Sequence, residues 1–285
     1  MALECEAPTR WCARQDLVTR YDPVALRRTV LRMAYSASSV HIACAFSLIE
    51  ILAVLYRSHL RLGANPDSAD RDYLVLSKGH GVMAQYACLY ERGWITEADI
   101  DNYFKDGTRL KGLSDVHFPG LEVSSGSLGH GLSVGVGLAL AAKWKGTGQR
   151  CVAIVGDGEL NEGSIWEAML FANHWQLSNL IVIVDLNGQQ AMGTTAEVMR
   201  LGCIGDKFTA FGFETREVDG HDEAALDMVL GELTAHRSLG PRVIVAHTVK
   251  GKGVSFMEND NSWHYRRLTA ATYEAALAEL QPACV

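Results

Sequence analysis

Residues 151–187 read CVAIVGDGELNEGSIWEAMLFANHWQLSNLIVIVDLN. An apolar run, Cys151 to Val155, ends in Gly156-Asp157-Gly158. A helical pattern follows, and a second run, Leu180 to Val184, ends in Asp185-Leu186-Asn187. Both runs are short and β-branched, as strands covered on both faces of a parallel sheet are. The stretch is a β-α-β unit in which each strand carries an oxygen donor at its carboxyl end, the edge where open α/β sheets bind ligands. The Asp157 carboxylate and the Asn187 amide oxygen are hard donors suited to Mg2+, which takes a few protein oxygens together with phosphate oxygens. Gly158 has no side chain, so its N–H is open to a phosphate near the start of a helix. Gly156-Asp157-Gly158 alone is also a common strand-to-helix turn. The second strand with its terminal Asn favours a site for Mg2+ and a diphosphate.

Outward from this unit, strands and helices alternate. Asp22-Pro23 is an N-cap followed by a proline at the first helical position. A short loop presents His41, and residues 47–56 form a helix apolar nearly all round, hence buried. Tyr73 to Leu76 is a strand running into Ser77-Lys78-Gly79-His80, and residues 81–92 are helical. Thr96 and Asp99 have capping-box spacing. Residues 106–133 form a polar, glycine-rich loop of the length that is usually functional. Small apolar residues from Gly129 to Lys145 suit a helix packed closely on a sheet or on another protein chain. Helices are expected over 204–211, 223–237 and 270–280, and strands over Phe213 to Val218 and Arg242 to Thr248. The pattern predicts an α/β fold, a mostly parallel sheet with helices on both faces. We read one domain over residues 22–285, preceded by an N-terminal arm over 1–21.

The net charge of −7 and pI near 5.8 argue against nucleic-acid binding. No apolar run is long enough to span a bilayer, and the acidic N-terminus has no signal-peptide core. The seven cysteines are odd in number, no pair has metal-ligand spacing, and Cys44, Cys88 and Cys151 fall within apolar patterns. A cytoplasmic chain is expected. Cys44, near a site residue, leaves a reactive thiol as an alternative. Histidines recur at loop positions: His41, His80, His117, His221 and His264. Most isolated histidines are satisfied polar residues, but several of these follow strands, and imidazoles gathered at one edge can bind phosphate and relay protons.

Six ordered blocks carry a family resemblance: SKGH (77–80), VSSGSLGHGLS (123–133), GDGELNEG (156–163), DLNGQQ (185–190), DGHD (219–222) and HTVKGKGVSFMEN (247–259). Together they resemble the diphosphate-binding part of transketolases, over roughly residues 25–281. The resemblance implies thiamine diphosphate with Mg2+, or Ca2+ or Mn2+ in its place. The metal ligands would be Asp157, Asn187 and the main-chain carbonyl of Gln189. Cofactor contacts would come from His80, Gly126, Ser127, Leu128, Gly156, Asp157, Gly158, Glu159, Asn187 and His264. His41, His80 and His264 would handle substrate hydroxyls.

In that family a Glu that assists the cofactor's aminopyrimidine lies in a separate pyrimidine-binding domain. The sequence as read ends at Val285, so a C-terminal transketolase-like partner subunit would supply that Glu, in an α2β2 heterotetramer. The expected reaction moves a two-carbon ketol unit from a ketose phosphate to an acceptor. Three departures bear on the substrate. The family's His-x-Gly-Gly-Ser-Leu-Ser is here His41-Ile42-Ala43-Cys44-Ala45-Phe46-Ser47, and the lost glycines are expected to add side chains near the substrate funnel. Gly-His-Pro is absent before the GSLG block, leaving His117 as a displaced equivalent. Tyr265 stands where Gly is common. These changes favour specialised metabolism. They keep open 2-oxoacid decarboxylation, glycolyl transfer to a lipoyl or carrier-protein thiol, and a non-catalytic scaffold half.

Overall fold

A computed structural model describes residues 20–235 and 238–281. The expected N-terminal arm lies outside the described residues as far as residue 19. Tyr21, its last member, is buried with its ring 5.9 Å from that of Tyr56.

Asp22 accepts the Ala25 N–H (2.8 Å) and Pro23 opens α1 (Pro23–Ser36), as the cap-and-proline start predicts. Next come α2 (Ile42–Phe46) and α3 (Ile49–Val54), the latter running into a π turn over Leu55–His59. The expected helix over 47–56 therefore starts two residues later and runs on as the π turn, and part of the expected loop after His41 is helical. Strand β1 (Tyr73–Leu76) is followed by α4 (Val82–Arg92) and by α5 (Glu97–Asp101), whose Thr96–Asp99 capping box forms. After the long loop come α6 (Gly131–Lys145), β2 (Cys151–Gly156), α7 (Gly163–His174) and β3 (Leu180–Leu186). A hairpin of β4 (Gln189–Gln190) and β5 (Gly193–Thr194), then α8 (Thr195–Val198), was not legible from the pattern. The chain continues with α9 (Ile204–Ala210), β6 (Glu214–Asp219), α10 (Glu223–Ala235), β7 (Arg242–His247) and α11 (Ala270–Glu279). Residues 236 and 237 of the expected 223–237 helix lie outside the described residues.

The main sheet has the order β1-β2-β3-β7-β6, with every pairing parallel. Alternation divides its side chains between two cores. Leu74, Leu76, Val152, Ile154, Ile181 and Ile183 face α1, α3, α4 and α10. Val75, Ala153, Val155, Val182 and Val184 face α6, α7 and α9. Each fully buried Val, Ile or Leu contributes about 1.5–3 kcal/mol relative to exposure. Glycine lets α6 approach the sheet. A Cβ on Gly131 would meet Ser77 Oγ at 2.4 Å, and one on Gly135 would meet Cys151 Sγ at 3.3 Å. The parallel order brings the carboxyl ends of all five strands, and the loops leaving them, to one edge.

A buried polar triad holds the first core to that edge. The Arg27 guanidinium donates to both Glu50 oxygens (2.7 and 2.9 Å) and to the carbonyl of Lys252 (2.7 Å). His221 Nδ1 lies 2.9 Å from Glu50 Oε2, and its Nε2 accepts the Val249 N–H (2.8 Å). Because Nε2 accepts, Nδ1 carries the ring proton. His221, grouped by sequence with the edge histidines, is thus spent on joining α3 to the loops after β6 and β7.

Burial alone would raise the Glu50 pKa, but His221 and Arg27 outweigh it and hold the value near 2. A carboxylate depressed in the folded state stabilises above its unfolded pKa, about 4.3, and loses that contribution as pH falls toward 2. Urea unfolding should show wild-type stability falling across this window. Glu50→Gln should be about 3 kcal/mol less stable at pH 7, because Arg27 is left buried without its counter-ion, with a smaller further loss on acidification. Equal stability of the two proteins at pH 7 would contradict the triad's role.

Candidate active site

A cleft of about 650 Å3 opens at the carboxyl edge. Its floor is the crossing of the β2 and β3 tips, where Gly156 pairs with Asp185 and the Asp157 N–H donates to the Asp185 carbonyl (3.2 Å). Asp157 is almost fully buried. Its carboxylate accepts the Gly188 N–H (2.6 Å) and the Gly158 N–H (2.7 Å). The Gly158 N–H, expected to face a phosphate, is here turned back onto the carboxylate beside it. A Cβ at Gly158 would meet the Gln190 side chain at 2.9 Å, so any other residue there would have to displace Gln190. Burial and the neighbouring Asp185 charge push the Asp157 pKa up to about 6, against the pull of Lys78.

Asn187 follows β3. Its Oδ1 accepts the Gln189 N–H (3.1 Å) and its Nδ2 donates to Asp185 Oδ2 (3.3 Å), which fixes the amide's orientation. Asp157, Asn187 and Gln189 all line the cleft, and Gln189 Oε1 is buried without a partner among the described residues. A desolvated carboxylate beside amide oxygens is a donor set that fits a hard divalent cation.

Beneath them lies a group that sequence reasoning missed. Lys78 Nζ pairs with Asp185, both fully buried, and Asp185 also accepts from Thr248 Oγ1 and from Ser47 Oγ (2.7 Å). Burial works against both charges, yet the pair prevails: the Lys78 pKa is raised and the Asp185 pKa lowered. In the sequence the SKGH block stands out for His80, and Asp185 only as a strand end. An acid and a lysine inside apolar strand tips were the available signal, since such residues are almost never buried unpaired.

Three imidazoles form one wall. The His41 and His264 rings lie 5.0 Å apart, His41 and His80 5.3 Å, and His80 and His264 5.7 Å. His41 sits in the left-handed region (φ 67°) at the start of α2, and its N–H donates to the His264 carbonyl (3.2 Å). Lys250 Nζ lies 2.9 Å from His264 Nδ1. With Lys250 as donor, His264 carries its own proton on Nε2. Burial first, then the Lys250 charge, lowers the His264 pKa to about 3. Burial also lowers those of His41 and His80. All three rings are neutral near pH 7, able to donate and accept. Cys44 Sγ lies 3.6 Å from the same His264 nitrogen, but burial raises its pKa, which disfavours a reactive thiolate.

Of the remaining expected residues, Gly126, Leu128, Gly156, Gly158 and Glu159 line the cleft, whereas Ser127 is exposed and does not. Glu159 is buried and turned inward. It accepts from Ser77 Oγ, the Gly129 N–H (2.8 Å) and the Gly156 N–H (3.1 Å), and so stitches the long loop to the strand tips. His117 is exposed and is not among the cleft residues, whereas Leu113, four residues before it in the same loop, is. The His117 side chain, expected as a displaced equivalent, thus lies away from the cleft, and Leu113 of the same loop lines it. The side chains expected in place of the lost glycines reach the cleft at one position of the two. Ile42 and Ala43 are in the core, and only Cys44 of that segment reaches the cleft, because the segment is the helix α2.

Residues 24–280 match the family model described as Transketolase, thiamine diphosphate binding domain. The chain belongs to the transketolase family. It is 38% identical over 255 residues to one of the subunits of the apulose-4-phosphate transketolase of Phocaeicola vulgatus, covering 89% of this chain and 90% of that protein. It is 36% identical over 272 residues to the SqwG subunit of the 6-deoxy-6-sulfo-D-fructose transketolase of a Clostridium species, covering 94% and 98%. The transketolase structure from Leishmania mexicana superposes with a TM-score of 0.83 at 31% identity, over 90% of this chain and 40% of that one. The chain thus spans about 40% of the length of that full transketolase. It is a transferase-family chain with the thiamine diphosphate-binding domain, on the expected α/β fold.

The buried Lys78–Asp185 pair is the feature of this transketolase site most open to a stability test. Lys78→Met should cost about 3–5 kcal/mol by stranding a buried carboxylate. Adding Asp185→Asn should recover part of that loss, with a coupling above about 1 kcal/mol in a double-mutant cycle of urea unfolding. Additive effects would show that the two groups do not depend on each other.

Proposed function

We propose that this chain is the diphosphate-binding subunit of a two-chain transketolase that moves a two-carbon ketol unit from a ketose phosphate to an acceptor. The observation that carries this is the meeting, in one cleft, of Asp157 and Asn187 from neighbouring strand tips with the neutral imidazoles of His41, His80 and His264.

Asp157, the Asn187 amide oxygen and the Gln189 carbonyl would hold Mg2+, and through it the diphosphate of thiamine diphosphate. Gly156, Gly158, Glu159 and the Gly126-Ser127-Leu128 segment would shape the cofactor's bed, with His80 and His264 against the diphosphate. When bound, the cofactor supplies the electron sink that lets the bond beside a ketose carbonyl break. The chain's own part is to orient and to move protons. Lys250 fixes the His264 proton on Nε2, and His41 offers a ring nitrogen, Nδ1, that has no partner among the described residues. Neutral imidazoles in these positions can take a proton from a substrate hydroxyl and return one near pH 7.

A pyrimidine-binding partner supplying the assisting Glu, in an α2β2 assembly, is part of this proposal. It is supported by the near end-to-end match to proteins that are themselves named as single subunits of transketolases. Further support is an exposed apolar patch on α6 and α7, where Trp144 (69% exposed) packs edge-on to Trp175 at 5.7 Å beside Leu170 and Phe171. Such patches mark contact surfaces. We read residues 22–285 as one domain following a 1–21 arm. We place the protein in the cytoplasm: no described helix is long and apolar enough to cross a membrane, and Cys44, Cys88, Cys151 and Cys203 are free thiols.

Calorimetry on the assembled pair with Mg2+ and thiamine diphosphate should give saturable binding. Asp157→Asn should weaken it at least about 100-fold, the equivalent of roughly 3 kcal/mol. The wild-type pair should consume xylulose 5-phosphate when given an aldose acceptor. Cofactor binding without consumption of any ketose would refute the transfer reaction, and unchanged binding by Asp157→Asn would refute the metal assignment.

A further inference from the structure

The imidazole wall of the cleft also carries a thiol, which the transfer reaction leaves unused. Cys44 sits in α2 and is buried. Its Sγ lies 3.6 Å from His264 Nδ1, and the ligand atoms of His41, Cys44 and His264 all lie within 4.8 Å of one another. Among the described residues no other three His, Cys, Asp or Glu side chains bring donor atoms so close. The main chain holds the three together. The Cys44 N–H donates to the His41 carbonyl (3.1 Å), and the His41 N–H donates to the His264 carbonyl (3.2 Å).

Two nitrogens in this corner have the electron pairs that a metal needs. His41 Nδ1 is buried with no partner among the described residues. His264 Nδ1 lies 2.9 Å from Lys250 Nζ and accepts from it, so its lone pair already faces the corner that holds the thiol. An incoming cation would take the place of Lys250 there, and that ammonium has Asn261 Oδ1 3.2 Å away to receive it. Tetrahedral zinc, with Zn–S of about 2.3 Å and Zn–N of about 2.0 Å, spaces a sulfur and a nitrogen ligand about 3.6 Å apart. The Cys44–His264 edge has that length before any ion is present.

One sulfur and two imidazole nitrogens select zinc over magnesium, which prefers oxygen. The set therefore differs in kind from the oxygen donors of Asp157 and Asn187 across the same cleft. The third ligand comes from this chain's departure from the family pattern, since Cys44 stands where that pattern has its second glycine after the histidine.

We infer that His41, Cys44 and His264 form a Zn2+ site, separate from the proposed Mg2+ site, whose occupation shuts the cleft down. Ligation releases the thiol proton to water and forms a sulfur–zinc bond. Three protein ligands leave the fourth position open to a water from the cleft. The zinc-bound rings can no longer use those nitrogens to accept a substrate proton. The site stands without the transfer reaction; its inhibitory effect rests on it.

The test titrates the full chain with Co2+, which reports thiolate ligation by a sulfur-to-metal charge-transfer band, and then with Zn2+ in competition. Wild type should give the band, Zn2+ should abolish it, and Mg2+ should leave it. Cys44→Ala should lose it, and so should Cys44→Ser, which keeps the side chain's size; both should unfold at the wild-type temperature without metal. His41→Ala and His264→Ala should each weaken Zn2+ binding at least about 10-fold. Cys203→Ala, at an exposed thiol, should behave as wild type does. The inference is overturned if wild type gives no band, if the band survives in both Cys44 variants, if it is lost in Cys203→Ala, or if the histidine variants bind Zn2+ as wild type does. Ketose turnover by the assembled pair is a second readout. Zn2+ should inhibit wild type at concentrations that spare Cys44→Ala, and equal inhibition of the two would overturn the shut-down. Absence of turnover in every protein before Zn2+ is added would strike the transfer reaction, while the cobalt band would still decide the metal site.

Discussion

Two charges taken out of water hold this site together. Lys78 leaves β1 and Asp185 ends β3, with the β2 tip between them, and their pairing spans the edge of the sheet. A buried ion pair contributes little net stability against an apolar alternative, because desolvation offsets most of the attraction. It does fix position. With Lys78, Ser47 and Thr248 on its oxygens, Asp185 is fixed where it accepts from the Asn187 Nδ2, which leaves the Asn187 oxygen on the Gln189 N–H. The same negative charge, added to burial, raises the Asp157 pKa and leaves that carboxylate short of a counter-charge. A divalent cation would satisfy both residues. The proposed clamp would therefore be set up from underneath, by groups other than its own ligands.

The parallel sheet was plain in the sequence because its signal is local. Short β-branched runs, a proline after an Asp cap and a Thr–Asp capping box each announce themselves within a few residues, and each formed as expected. The oxygen donors at the strand tips were readable for the same reason. What could not be read depends on residues far apart in the chain. His221 looks like the other edge histidines until Glu50, 171 residues away, is seen to hold it. Lys78 and Asp185 are separated by 107 residues, and only contact reveals the pair. Ile42–Phe46 reads as a loop because five residues are too few for a helical period to show, and its helix is held by full burial of its side chains.

The departures from the family's pattern now divide by where they fall. Most of the substituted segment after His41 faces the core, so its effect on the cleft comes down to one thiol beside His264. The long loop has a more direct consequence: an apolar side chain, Leu113, lines the cleft, packed over Gly126. Tyr265 closes the same corner, its ring 5.5 Å from that of His41. The three imidazoles thus share their corner of the cleft with Leu113, Cys44 and Tyr265.

The most direct measurement is a crystal structure of the chain assembled with the proposed pyrimidine-binding partner, Mg2+ and thiamine diphosphate. The ion is expected about 2.1 Å from the Asp157 carboxylate and the Asn187 amide oxygen, with the diphosphate completing its shell. Cofactor seated in the assembly with neither Asp157 nor Asn187 touching the ion would contradict the clamp on which the site is built.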